Sequence, residues 1–235
     1  MAADSFTFKQ FTIRQDRCAM KVGTDGVLLG AWAAVEDCHS LLDIGTGTGL
    51  MALMAAQRAP KAHITAIEIE EEAAAQAREN VATSPFARRI DVQQGDIRTW
   101  STPTPFDAIL CNPPYFEHAL RCPNRTRSTA RHDDTLTLEM LAAAAGRLLN
   151  GSGTLSVVLP TERRTDMVLA AATHSLFLTR ETTVSTLPNK APKRVLMAFA
   201  RESFQCTPEK LCIEEVPGTY SAKYTALLRN FYLKL

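Results

Sequence analysis

Between residues 40 and 173 the chain alternates short apolar runs with stretches whose apolar residues recur every three to four positions. Leu41-Leu42-Asp43-Ile44 has the continuous apolar character of a buried strand, and Leu50 to Arg58 has helical spacing. His63 to Ile67 is β-rich and is followed by an Ala/Glu-rich helical stretch from Glu71 to about Ala82. Ile90 to Gln94 and Phe106 to Cys111 are two more strands. A helix over about Thr137 to Leu149 leads through Asn150-Gly151 into a strand at Thr154 to Leu159, and a further helix spans Thr161 to Thr173. Strand–helix alternation of this kind predicts right-handed crossovers and a doubly wound α/β fold, with helices on both faces of a mostly parallel sheet. The pattern then changes. Leu176 to Ser185 and Arg194 to Ala200 are β-rich with Pro188-Asn-Lys-Ala-Pro192 between them. They predict a closing hairpin, which makes the sheet mixed, seven-stranded and antiparallel at its C-terminal edge.

The remaining stretches say less about folding and more about use. Phe116 to Asp134 has no clear period, and a segment of that length without structure in a compact domain is usually a functional loop. Val27 to Val35, the longest uncharged apolar run, is too short to cross a bilayer and reads as a helix packed on the sheet. At 235 residues, 46% hydrophobic and 22% charged, the chain has the composition of one ordinary globular domain. Its net charge of +1 announces no nucleic-acid partner by itself, so local clustering has to carry that argument. The six cysteines show no C-x-x-C pair and no zinc spacing. Free thiols and no metal are therefore expected. With charges at Asp4, Lys9, Arg14, Asp16 and Arg17 there is no signal-peptide core, which points to the cytoplasm. A monomer is the expectation for the oligomeric state.

Chemistry enters at the predicted strand ends. Asp43-Ile44-Gly45-Thr46-Gly47-Thr48-Gly49 joins the first core strand to its helix, where ligands sit in a doubly wound sheet. The spacing is G-x-G-x-G, not the G-x-G-x-x-G of a dinucleotide pyrophosphate site. Asp43, just before the loop, would repel a phosphate but suits an ammonium or sulfonium. Glu68 ends the second strand, placed to hold ribose hydroxyls, and Gly95-Asp96-Ile97 follows the third, where an acid can accept from an adenine amine. Three acids at successive strand ends describe a cationic nucleoside without phosphates, and S-adenosylmethionine fits. The bland alternatives are a solvated strand-end charge for Glu68 and a turn former or helix cap for Asp96. Upstream, Lys21-Val-Gly-Thr24-Asp25-Gly26 leads into the apolar segment. Thr24 and Asp25 would either cap that helix or meet the cofactor's amino-acid end.

Asn112-Pro113-Pro114-Tyr115 stands directly after the fourth core strand. The asparagine oxygen can accept from a planar amine, and Pro113 offers a carbonyl while bringing no competing N–H. Tyr115 offers a stacking face for an unpaired base. The bland reading is a proline turn ending a strand.

Taken together, these motifs resemble the class I S-adenosylmethionine-dependent methyltransferases, a Rossmann-like family, and N-P-P-Y resembles its members acting on planar nitrogen. Met20-Lys-Val-Gly-Thr-Asp-Gly-Val-Leu-Leu-Gly-Ala-Trp32 and Tyr220-Ser-Ala-Lys-Tyr-Thr-Ala-Leu-Leu-Arg-Asn-Phe-Tyr232 look like the bacterial group that methylates adenine N6 beside the anticodon of tRNA(Val). The likeness covers essentially the whole chain. It implies one methyltransferase domain, with residues 1–39 an extension contributing to the cofactor pocket and 40–235 the catalytic core. It implies Asn112, Pro113, Pro114 and Tyr115 as the catalytic set. Lys21, Thr24, Asp25, Asp43, Gly45, Gly47, Gly49, Glu68, Asp96, Ile97 and Asn112 are the implied cofactor contacts.

An RNA partner agrees with the local charge. Arg121, Arg125, Arg127 and Arg131 lie in an acid-free run after N-P-P-Y, and Lys190, Lys193, Arg194 and Arg201 lie in another, Ser185 to Arg201. Two such patches flanking a base pocket would track phosphates. The bland reading is a solvated loop with scattered charge, and His132 is most simply a surface residue. A guanine-N2 enzyme, an rRNA or DNA amino-methyltransferase and a protein-glutamine methyltransferase share the same chemistry. The last would need a peptide groove, against which the arginine run argues. A nicotinamide oxidoreductase is disfavoured by the glycine spacing and Asp43, and a non-catalytic RNA-binding relative by the intact Asn112.

Overall fold

The computed structural model describes residues 4–18, 21–113, 136–202 and 205–235. Strands β1 (Ser5–Thr7) and β2 (Thr12–Arg14) form a small antiparallel hairpin ahead of helix α1 (Thr24–Trp32). The alternating region follows as β3 (Ser40–Ile44), α2 (Leu50–Arg58), β4 (His63–Glu68), α3 (Glu71–Ala82), β5 (Ile90–Gln94) and β6 (Phe106–Cys111). Beyond residue 136 come α4 (Leu138–Leu148), β7 (Leu149–Pro160), α5 (Arg164–Thr173), β8 (Phe177–Ser185) and β9 (Arg194–Ala200). The chain closes with β10 (Pro208–Cys212), the pair β11 (Glu214–Val216) and β12 (Thr219–Tyr220), and α6 (Ala222–Leu228).

Eight strands make the central sheet, in the order β10-β8-β9-β7-β6-β3-β4-β5. The segment β7-β6-β3-β4-β5 is parallel throughout, and β9 runs antiparallel to both neighbours, β7 and β8. The sequence expectation was seven strands with the antiparallel one at the edge. The structure instead inserts β9 between β7 and β8 and adds β10 parallel to β8 outside them. β10 opens on Pro208-Glu-Lys, with little apolar signal, which an edge strand tolerates because it pairs on one side only.

Period-two alternation along the buried strands divides them between two cores. Leu41, Ala108, Leu110, Val158 and Leu196 face α1, α2, α3 and α6. Leu42, Ile44, Ile109, Leu155, Val157 and Met197 face α4 and α5. Both faces of β3 and β6 are therefore covered, as a parallel sheet requires. α4 forms because Leu141, Ala142, Ala145 and Leu148 repeat at helical spacing and the Thr137 side chain accepts from Met140 N at its start. α1 crosses α2 closely at Gly30, where a Cβ would lie 2.8 Å from Met54 Sδ. A methyl group there would overpack the crossing at a cost of about 1–3 kcal/mol.

Most expected boundaries hold, and β7 departs the most. It begins at Leu149 and absorbs Asn150-Gly151 into the strand, with pairing that slips between Phe106↔Leu149 and Ala108↔Thr154. Gly153 permits this irregularity, since a Cβ there would stand 2.7 Å from the Phe106 carbonyl.

Candidate functional site at the strand ends

The sheet order reverses direction between β3 and β6. β3 leads outward to β4 and β5 on one side, while β6 and β7 lie on the other. Register pairs Ile44 with both Ile67 and Cys111, so the residues that follow these strands emerge side by side at one edge. This switch point is where a doubly wound sheet opens a crevice.

The loop Gly45–Gly49 fills the first part of that edge. All three of its glycines adopt positive φ, at +68°, +56° and +84°. At Gly45 and Gly47 nothing lies within 4 Å of an added Cβ, so it is the backbone conformation that selects glycine there and the space above stays open. The loop is tied down from below. Gly45 N and Thr46 N donate to Ile67 O, and Gly47 N donates to Glu68 Oε2 at 2.8 Å. Asp43 Oδ2 accepts from Thr46 Oγ1 at 2.6 Å and from Ala52 N, in the first turn of α2, at 3.1 Å.

Asp43 is fully buried, and its second oxygen, Oδ1, has no hydrogen-bond partner. Burial pushes its carboxyl up to about 7, against the lowering effect of the two hydrogen bonds. Glu68 is also buried, and its Oε1 accepts from the amides of Ile69 and Glu70. With Gly47 N this one carboxylate gathers three amides and joins the glycine loop to the approach of α3. The solvated strand-end charge is thus not what Glu68 is. Asp96 matches its bland alternative: Oδ1 accepts from Arg98 N, closing a turn, and the Arg98 guanidinium pairs with both oxygens. That pairing holds the Asp96 carboxyl below its ordinary value. Ile97, next to it, is buried. At Cys111, burial raises the thiol well above its usual range, helped by the charges of Asp43 and Glu68, so it is no nucleophile.

On the other side of the switch point, Asn112 and the buried Pro113 leave β6. A Cβ on Gly26 would lie 3.8 Å from Asn112 Nδ2, so the first turn of α1 stands against the asparagine amide. Gly23 occupies the N-cap of α1, and no side chain caps the helix; neither Thr24 nor Asp25 takes the capping role considered for it. Asp25 instead pairs with Arg194, whose Nε donates to Oδ2 at 2.7 Å. Lys21 and Thr24 are exposed near this helix start.

The basic residues divide. Lys190 and Lys193 are exposed in the connection from β8 to β9, which is anchored by Thr161 Oγ1 and Thr161 N donating to Pro192 O and Lys193 O. Arg194 pairs in register with Pro160 at the carboxyl end of β7, on the same edge as Asn112. Arg201 follows the other end of β9 and donates to Gly146 O. Seven residues of extended strand carry it about 23 Å away. The expected second patch therefore loses Arg201, because an antiparallel strand takes sequence neighbours to opposite edges. Pro114, Tyr115, Arg121, Arg125, Arg127, Arg131 and His132 lie outside the described residues, as does the expected loop from Phe116 to Asp134.

One rim residue was missed from the sequence. Ile69, directly after Glu68, is 43% exposed, an apolar side chain following a strand-end acid and suited to the face of a planar ring. Its signal was an apolar residue placed outside the strand's alternation. Among the described residues no three His, Cys, Asp or Glu side chains converge as a metal site, and no helix is long and apolar enough to cross a membrane.

Residues 23–183 match the methyltransferase small domain family. A tRNA1(Val) (adenine(37)-N6)-methyltransferase of Bacteroides thetaiotaomicron is 50% identical over all of this chain and all of its own. The protein of the same name from Phocaeicola vulgatus is 48% identical over 98% of each chain. In fold, a predicted O-methyltransferase of Agrobacterium tumefaciens superposes with a TM-score of 0.68, covering 88% of this chain and 96% of its own at 21% identity. The glycine loop, the acid-lined strand ends and the asparagine across the switch point thus sit in a chain that belongs to the methyltransferase small domain family.

Proposed function

We propose that this chain transfers a methyl group from S-adenosylmethionine to N6 of adenine 37 in tRNA1(Val). The observation that carries the reading is the adjacency, across the β3/β6 switch point, of an acid-lined glycine crevice and Asn112. The full-length likeness to the two tRNA1(Val) enzymes supplies the substrate.

The residues fit the cofactor. Asp43 Oδ1 is a buried acceptor without a partner, and a cationic ligand nearby would favour the charged form that burial disfavours. The open space over Gly45 and Gly47 lets a ligand approach the backbone. Asp43, Gly45, Gly47, Gly49, Glu68, Asp96 and Ile97 would hold it, with Lys21 and Thr24 near its amino-acid end. On this reading residues 1–39 contribute to the pocket through the α1 start. When bound, the cofactor supplies an electrophilic methyl carried on a sulfonium.

The protein's own part is to present the amine. A target adenine leaves its stack at a cost of a few kcal/mol, a cost lowered in a loop that is already partly unstacked. Its N6 lone pair is delocalised into the ring and attacks poorly while planar. Hydrogen bonds from N6–H to the Asn112 side-chain oxygen and the Pro113 carbonyl favour the pyramidal nitrogen of the transition state over the planar ground state. No strong base is required at the outset, because the N6 proton becomes acidic as the nitrogen gains positive charge. Incubation with labelled methyl donor and unmodified total tRNA, followed by nucleoside mass spectrometry, tests the reading. N6-methyladenosine at position 37 of tRNA1(Val) is expected; label on DNA, rRNA or protein glutamine alone would overturn it.

A further inference from the structure

The Asp25–Arg194 ion pair joins residues that the sequence assigns to different partners, one to the cofactor and one to RNA. Its place in the fold favours the second. Arg194 begins β9, which is separated from β3 and its glycine loop by β7 and β6. Three strand spacings put that strand about 14 Å from the loop's strand. Asp25 lies in the first turn of α1, where the helix N-terminus favours a carboxylate, and the adjoining Gly26 stands against Leu50, the first residue of α2, and against Asn112. The pair therefore bridges from the start of α1, beside the switch point, to the connection that carries exposed Lys190 and Lys193. The Asp25 and Arg194 side chains keep 24% and 35% of their surface exposed. Nη1 of Arg194 donates to Lys193 O at 3.0 Å, so the guanidinium is fixed from two directions. The planar fork of a guanidinium matches a phosphate.

We propose that Asp25 is a positioning residue for RNA: it holds the Arg194 guanidinium at the substrate edge, where it contacts a backbone phosphate beside the target nucleotide. The inference rests on the tRNA reading above and adds the contact that seats the RNA. A half-buried arginine held in one conformation loses less side-chain entropy on meeting phosphate than one that must be ordered first. Asp25 would thus act on RNA affinity through Arg194, without touching the cofactor.

The test compares wild type with Asp25→Asn, Arg194→Ala, the double variant and the reversed pair Asp25→Arg/Arg194→Asp. Four quantities are read: the melting temperature, the Kd for S-adenosylmethionine, the Kd for unmodified tRNA1(Val) with its salt dependence, and KM against kcat. Asp25→Asn is expected to weaken tRNA binding by about tenfold and to act on KM more than kcat. The slope of log K against log salt should fall by about 0.7–0.9, the loss of one phosphate contact. Cofactor Kd should stay within about twofold, and the double variant should be no worse than Arg194→Ala. The reversed pair should regain melting temperature and remain weak for tRNA, since it points a carboxylate at the phosphate. Recovery of tRNA affinity in the reversed pair would make the contact a structural strut and overturn the proposal. Weakened cofactor binding in Asp25→Asn with unchanged tRNA binding would overturn it in favour of a cofactor ligand. If wild type itself fails to bind tRNA, the tRNA reading falls; if wild type binds and Asp25→Asn binds equally well, only this inference falls.

Discussion

The two halves of the strand-end edge are built in opposite ways. On the β3–β5 side the acids are already occupied by the fold: Asp43 accepts from the Thr46 hydroxyl and the Ala52 amide, Glu68 accepts from the amides of Gly47, Ile69 and Glu70, and Asp96 closes a turn with Arg98. The partners lie close in sequence, at separations from 1 to 21 residues. On the β6–β9 side the contacts are distant in sequence. Asp25 meets Arg194 across 169 residues, and Gly26 meets Asn112. A side chain that shapes the backbone of the crevice serves structure and ligand together, so its removal should damage both stability and binding. In the other half, removal should leave the fold intact and damage only the chemistry or the RNA contact.

That contrast can be broken at several places. The largest effect is expected at Asn112. Asn112→Ala should lower turnover by at least about a hundredfold, by analogy with losing one polar group that acts on a transition state, while cofactor affinity measured by titration calorimetry stays near wild type. Next comes Glu68→Ala, which strips acceptors from three part-buried amides. Partly reached by water, these amides each cost less than the ~1–3 kcal/mol of a fully buried one, so chemical denaturation should show a loss of about 1–3 kcal/mol in all, together with weaker cofactor binding. An equal loss of stability in Asn112→Ala and Glu68→Ala would erase the distinction between the halves.

Asp43 sharpens it further through pH. Its folded pKa lies near 7, above the unfolded value of 3.8, so the folded state holds the proton more tightly. Its ionisation therefore costs stability progressively as pH rises from about 4 to 7, with a limiting slope of about 1.4 kcal/mol per pH unit, and the cost is level above 7. The stability difference between Asp43→Asn and wild type should grow over that window and then flatten, as read by denaturant titrations from pH 5 to 8. A constant difference would contradict the buried, unpaired carboxylate. The smallest effect belongs to Arg201→Ala: placed at the opposite edge, it should change the Kd for tRNA by less than about twofold, whereas Arg194→Ala changes it about tenfold.

The same contrast explains what was legible in the sequence. The strands and helices from Ser40 to Gln94 were readable because each is signalled by local periodicity, and Gly45–Gly49 by glycines at positions of positive φ. The roles of the acids were half readable: their placement at strand ends was visible, but their capture by backbone amides depends on loop geometry that spacing does not encode. The Asp25–Arg194 pair and the separation of Arg201 from Lys193 were not readable at all. Both depend on how β9 inserts between β7 and β8, a topological choice with no local signature. β10 escaped for a related reason, since a one-sided edge strand needs little apolar pattern.

The central claim is that cofactor and target amine meet at the boundary between β3 and β6. A crystal structure with S-adenosylhomocysteine tests it most directly. The account predicts the ligand lying along the carboxyl ends of β3, β4 and β5, with its sulfur turned toward the Asn112 side chain. A ligand seated elsewhere, or an Asn112 amide directed away from that sulfur, would contradict it.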